Sequence, residues 1–296
     1  MGVSPWLRRF AWATLGVNIL LIVTGGAVRL TGSGLGCPTW PRCNHSSFTP
    51  HDAMGVHQFI EFGNRSLTFV LVAVAVATLV AARQGARDLD RPDLFRLALV
   101  LALAIPAQAV LGGITVLTDL NPWIVSLHLV LSLAIVSLAV LFLHRLDHPP
   151  RPLARGLVPG LACTTYAVTW LVLYAGTAVT GSGPHAGDAS SPRNGLDSLD
   201  VSQFHADLVF LLIGLTVGLW FARRATGGDP RPVTALAAIE VLQAAIGFIQ
   251  YFTGLPIGVV MLHMLGAGLV VAAATWLLVT TLQPAPTPAD LPLRTR

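Results

Sequence analysis

The sequence predicts an all-α integral membrane protein: eight transmembrane helices forming two four-helix bundles related by a pseudo-twofold axis. Three observations carry that expectation. Of 296 residues, 54% are hydrophobic and 11% charged, where a soluble domain carries about 25% charge, and the mean hydropathy is +0.70. Apolar runs of about 20 residues, enough to cross a bilayer, recur eight times. Two segments in opposite halves also match each other without a gap.

The spans fall near 8–30, 57–82, 94–117, 123–143, 157–180, 201–222, 232–253 and 257–281. The first resembles a signal peptide, with Arg8 and Arg9 ahead of an apolar run. It is too long for a signal's apolar region, and no small-residue cleavage site closes it. All 18 basic residues are arginines, and most flank alternate ends of the spans. The positive-inside rule then places both termini in the cytoplasm and the loops 31–56 and 181–200 outside, as expected of a multi-pass protein of a bacterial-type inner membrane. The pI near 9.5 reflects these flanking arginines, and no basic patch interleaved with aromatics points to nucleic acid. The proline-rich tail from about 283 reads as disordered.

"QAVLGGITVLTDLNPWIVSLH" (108–128) aligns with "QAAIGFIQYFTGLPIGVVMLH" (243–263) at nine of 21 positions. Weaker echoes join "TGGAVRLTGSG" (24–34) to "AGTAVTGSG" (175–183), and "NRSLTFV" (64–70) to "HADLVFL" (205–211). Each repeat holds four spans. An even number of crossings returns the chain to its starting side, so the halves share one orientation and an axis along the membrane normal. The units are residues 1–148 and 149–296, joined through the cytoplasmic stretch 144–156.

His128 and His263 close the matched segments, and His205 lies in the sixth span, with Asn64 at the equivalent place on the second. All three histidines sit at one depth, about 6–9 Å inside the outer boundary. Gly112 and Gly247 on preceding spans, and Gly266 to Gly268 after His263, leave room for a flat ring. Neutral imidazoles from facing helices of a bundle suit axial ligation of haem iron; a simple interhelical hydrogen bond is the competing account.

"VHQFIEFGNR" (56–65) puts His57, Glu61 and Asn64 on one helix face, the face expected to line a pocket in the first bundle. Charged groups in a span usually face a bundle interior. Arg29 and Arg65, near the outer boundary, either pair with acidic ligand groups or snorkel to the interface. Cys37 and Cys43 share the first outer loop, where an oxidised pair is favoured over two free thiols. Asp207 stands beside His205, and Glu240 lies deeper in its span with no evident role.

"GGAVRLTGSGLGCPTWPRC" (25–43), "HQFIEFGNR" (57–65) and the contexts of His128, His205 and His263 resemble the haem A synthase family over nearly the whole chain. The resemblance implies an enzyme that oxidises a ring methyl of haem O by successive hydroxylation to the formyl group of haem A, for haem–copper terminal oxidases. It implies a haem b cofactor in the second bundle, its iron held by His205 and His263, and haem O in the first, its iron held by His128. Glu61 matches the family's catalytic carboxylate. Asn64 departs from the pattern, standing where the family carries histidine, so the iron of haem O would have one imidazole and an open position near Asn64. Arg29 and Arg65 would meet the propionates. The resemblance supports a bridge between Cys37 and Cys43. It also implies an electron donor that the sequence does not identify, and leaves contact with haem O synthase and self-association open. Two alternatives stand beside this reading: a diheme membrane cytochrome serving quinones, and a non-catalytic haem carrier.

Overall fold

Proline opens four of the helices, where its missing N–H costs nothing and its fixed φ suits the first turn. The computed structural model describes residues 3–50 and 55–283. Among them are eight helices and no strand: α1 (Pro5–Leu30), α2 (Val56–Asp88), α3 (Pro92–Leu117), α4 (Pro122–Asp147), α5 (Leu157–Ser182), α6 (Ser198–Ala225), α7 (Arg231–Phe252) and α8 (Ile257–Leu282). All eight are long and apolar enough to cross a membrane, and large apolar side chains such as Phe69, Phe210 and Phe252 lie exposed on the flanks, as lipid contact requires. The tail expected to be disordered lies almost wholly outside the described residues.

Several helices outrun their apolar stretches. α2 continues through Arg83 and Arg87 to Asp88, and α4 continues through Arg145 to Asp147. Hydropathy marks only the lipid-facing part, whereas the hydrogen-bond ladder continues until a residue stops it. Asp147 at the end of α4 accepts from Arg8 of α1 at 2.9 Å, so the overhang fastens the first helix to the fourth. Asp197 and Asn121 cap α6 and α4 by accepting from main-chain N–H groups of the first turn.

α1 touches α2, α2 touches α3, α3 touches α4, and α4 returns to α1. The last four helices close in the same way through α5–α6, α6–α7, α7–α8 and α5–α8. Between the two rings the contacts are α4–α8, α1–α8 and α4–α5. Exchanging each helix with its counterpart in the other half leaves that set unchanged, as twofold symmetry demands. Leu7, Ala11, Leu15 and Ile22 of α1 pack with Leu133, Val136, Ala139 and Phe142 of α4 and with Val271 of α8. Small residues allow the approach: a Cβ on Gly268 would lie 3.6 Å from Ile19, and one on Gly26 3.4 Å from Met264. Ser137 bonds both Tyr166 (2.7 Å) and Thr275 (2.9 Å), a polar link among α4, α5 and α8.

The sequence repeat recurs as a repeated turn. After α3, Asp119 and Leu120 adopt φ of 52° and 58°; after α7, Gly254 and Leu255 adopt 75° and 61°. Leu120 N–H donates to Thr115 and Leu255 N–H to Gln250, both at 2.8 Å. Two consecutive left-handed residues reverse the chain tightly enough to launch the next helix alongside. This distal end of the molecule, remote from the start of α1, also bears the segments 31–50 and 183–197.

Candidate functional site

His128 stands about six residues into α4, His263 about six into α8, and His205 about seven into α6. At 1.5 Å per residue each ring is about 9–10 Å from the distal start of its helix. The three imidazoles therefore share one depth although they come from two halves.

Each ring lies against a glycine of the preceding helix. A Cβ on Gly112 would meet Cε1 of His128 at 3.3 Å, one on Gly176 would meet Cε1 of His205 at 3.2 Å, and one on Gly247 would meet Cε1 of His263 at 3.6 Å. Gly112 and Gly247 are the pair expected from the sequence. Gly176 was missed there, though it stood in plain view in the weaker echo. The glycines after His263 do something else. Gly268 faces Ile19 and Ile22 of α1, and Gly266 makes room for the side chain of Gln243. They serve helix packing rather than admitting a flat ring.

The fourth position of this pattern is Gly25 on α1 with Asn64 on α2. Nothing lies within 4 Å of a Cβ on Gly25. Asn64 instead accepts a hydrogen bond from Thr24 at 2.7 Å, so the amide is drawn to α1 by a hydroxyl and leaves the glycine uncovered.

The imidazoles differ in their bonding. Nδ1 of His205 is 3.1 Å from the carbonyl of Val172, which favours the proton on Nδ1 and leaves Nε2 with its lone pair. Nδ1 of His128 and of His263 is buried without a hydrogen-bond partner. Gln108, also overlooked in the sequence, steadies the first-half position by donating to the His128 carbonyl (3.2 Å) and to Ser132 (3.0 Å).

The face of α2 expected to line a pocket turns mainly to the distal loop. His57 is exposed and bonds Ser33 at 3.0 Å. Glu61 is 4% exposed; one oxygen accepts the Cys37 N–H at 2.6 Å and the other accepts Arg65 Nε at 3.0 Å. Arg65 also donates to the carbonyls of Cys37 (2.8 Å), Thr39 (3.1 Å) and Arg42 (3.4 Å). A buried carboxylate needs a partner, and an arginine one turn away supplies it. Cys37 and Cys43 are joined in a disulfide that closes this loop.

Arg29 is likewise taken up by main chain, donating to the carbonyls of His185 (2.8 Å) and Thr180 (3.0 Å). With Gly34 N–H donating to Gly187 at 2.8 Å, it ties the two distal segments together. Asp207 accepts from Gln203 on its own helix rather than from His205. Glu240 accepts from Thr216 at 2.9 Å, and its second oxygen is buried without a partner. A groove of about 820 Å³, lined by Trp6, Phe10, Ala77 and Asp88, lies at the opposite end, near the start of α1.

The family model for cytochrome oxidase assembly proteins, COX15-CtaA, matches residues 8–187. That stretch holds Glu61, Asn64 and His128 and ends before His205 and His263. A protein named heme A synthase from Geobacillus thermodenitrificans is 32% identical over 112 residues, 38% of this chain and 33% of that one. The match thus spans only about a third of that relative's length. The heme A synthase of Listeria welshimeri is 28% identical over 277 residues, 86% of this chain and 89% of the relative. That of Shewanella oneidensis is 30% identical over 151 residues, 46% and 43% of the two chains.

Proposed function

The chain belongs to the COX15-CtaA family of cytochrome oxidase assembly proteins, and from that premise we propose that it is an oxidoreductase of haem A synthesis, converting haem O to haem A. The observation that carries the reading is the set of imidazoles at one depth, each backed by a glycine, with an amide in the fourth position. Glycine removes the bulk that would keep a planar macrocycle away from the helix.

The halves differ in what they offer. In the second half His205 and His263 would hold the iron of a haem b cofactor, which would supply electron transfer there. The Val172 carbonyl fixes the His205 ring and favours the proton on Nδ1, leaving the Nε2 lone pair available. In the first half His128 would hold the iron of the substrate, haem O, facing Asn64 across the bundle; an amide is a poor ligand, so the substrate has one strong axial partner. Bound haem supplies reversible one-electron chemistry and a site for oxygen. Protein residues supply position. Glu61 and Arg65 hold the distal loop over the first half, and Arg29 ties that loop to its counterpart. Glu61 works here through the loop, because both of its oxygens are already engaged. The arginine distribution supports an orientation with the distal end outside the cytoplasm, where a disulfide would be stable.

Co-expression with a source of haem O, followed by mass analysis of extracted haems, tests the reading. Formyl-bearing haem A is expected with the intact chain and absent with His128→Ala. Haem O alone beside stable, folded protein would overturn it.

A further inference from the structure

The segment "CPTWPRC" carried part of the family likeness, yet the reading above gives its tryptophan no task. Trp40 belongs to the distal loop and is 36% exposed, but one face of its ring is set against Gly113 of α3. A Cβ on Gly113 would fall inside the indole, nearest Cδ2, Cε2 and Cγ. Gly113 is buried and lies about four residues, or about 6 Å, below the distal end of α3. Its neighbour Gly112 is the residue against which the His128 ring rests. Indole and imidazole are thus borne by adjacent positions of one helix.

The loop is built to hold that indole still. The disulfide between Cys37 and Cys43 encloses Trp40. Arg65 grips the carbonyls of Thr39 and Arg42 on either side of it, and Glu61 grips the Cys37 N–H. Gly36 comes so near the start of α2 that a Cβ there would lie 2.6 Å from the His57 carbonyl oxygen. The second half has no such device. The repeat puts Phe248 at the place of Gly113, and the segment 183–197 contains no cysteine.

We propose that Trp40 is a positioning residue of the first-half site: its indole walls the distal mouth of the pocket beside His128 and retains a planar macrocycle against that imidazole. This rests on the reading of the first half as the substrate pocket. An aromatic ring covers a macrocycle edge with large apolar area at little conformational cost, and Gly113 is the slot that lets it lie flat against α3.

Ferric protoporphyrin IX serves as the probe, loaded on the full-length protein in detergent and then captured by excess apomyoglobin while the Soret band is followed. Two release phases are expected, and the one that His128→Ala abolishes belongs to the first half. Trp40→Ala accelerates that phase about tenfold and leaves the other unchanged, and Trp40→Phe restores most of the retention. Gly113→Leu, which evicts the indole without altering Trp40, produces the same acceleration. A first-half phase indifferent to both Trp40→Ala and Gly113→Leu, or equal acceleration of both phases, would overturn the proposal. If His128→Ala abolishes neither phase, the substrate-pocket reading itself falls, and the role of Trp40 with it.

Discussion

Alanine at Gly176 and alanine at Gly247 are the same chemical change beneath two rings of one site, yet the geometry predicts unequal effects. At Gly176 the new methyl lies 3.2 Å from Cε1 of His205, so the ring must retreat by a few tenths of an ångström. It has little freedom to do so, because its Nδ1 is bonded to the Val172 carbonyl at 3.1 Å. Overpacking of this kind costs about 1–2 kcal/mol, equivalent to a loss of haem affinity of about 5- to 30-fold. At Gly247 the methyl lies 3.6 Å from Cε1 of His263, an ordinary contact, and the Nδ1 of that ring has no bond to break. The loss there is below about threefold, well under 1 kcal/mol. Both changes raise helix propensity by about the same amount, so the difference between them isolates the ring. Soret titration of purified apoprotein with haem, with His205→Ala as the reference for complete loss, measures both. Equal effects, or a larger one at Gly247, would refute the idea that the glycines set the ring positions.

Other consequences follow from the same contacts. Asn64→His places an imidazole on the helix opposite Gly25, where nothing occupies the Cβ space; a bis-imidazole signature appears in the first half, and a spectrum identical to that of the parent contradicts the pairing. Removing the arginine partner of Glu61 with Arg65→Ala leaves a carboxylate that is 4% exposed without its countercharge and destabilises the protein by about 3 kcal/mol or more; unfolding in denaturing detergent measures it, and a change under about 1 kcal/mol contradicts the assigned burial. Reduction of the Cys37–Cys43 bridge frees the loop that Arg65 grips, so protease cleavage within 37–43 rises severalfold while the helices stay protected. Unchanged cleavage would mean that the hydrogen bonds alone hold the loop.

The helices were legible because spans of about 20 apolar residues have few alternatives in a bilayer. The repeat was legible because a tight turn and a buried ring tolerate little change, and the matched segments 108–128 and 243–263 hold both. The helix ends were not, since hydropathy is silent about the polar overhangs that carry Asp88 and Asp147. The Glu61–Arg65 pair was foreseeable from its four-residue spacing, but its grip on Cys37, Thr39 and Arg42 was not. A loop without periodicity gives no sign of where it folds back. For the same reason the indole of Trp40 on Gly113 was invisible.

The most direct test of the account is the spectrum of the full-length protein purified from haem-sufficient cells. A Soret band with the low-spin signature of two imidazole ligands is expected, persisting in His128→Ala and vanishing in both His205→Ala and His263→Ala. A colourless protein, or a band indifferent to His205 and His263, would contradict it.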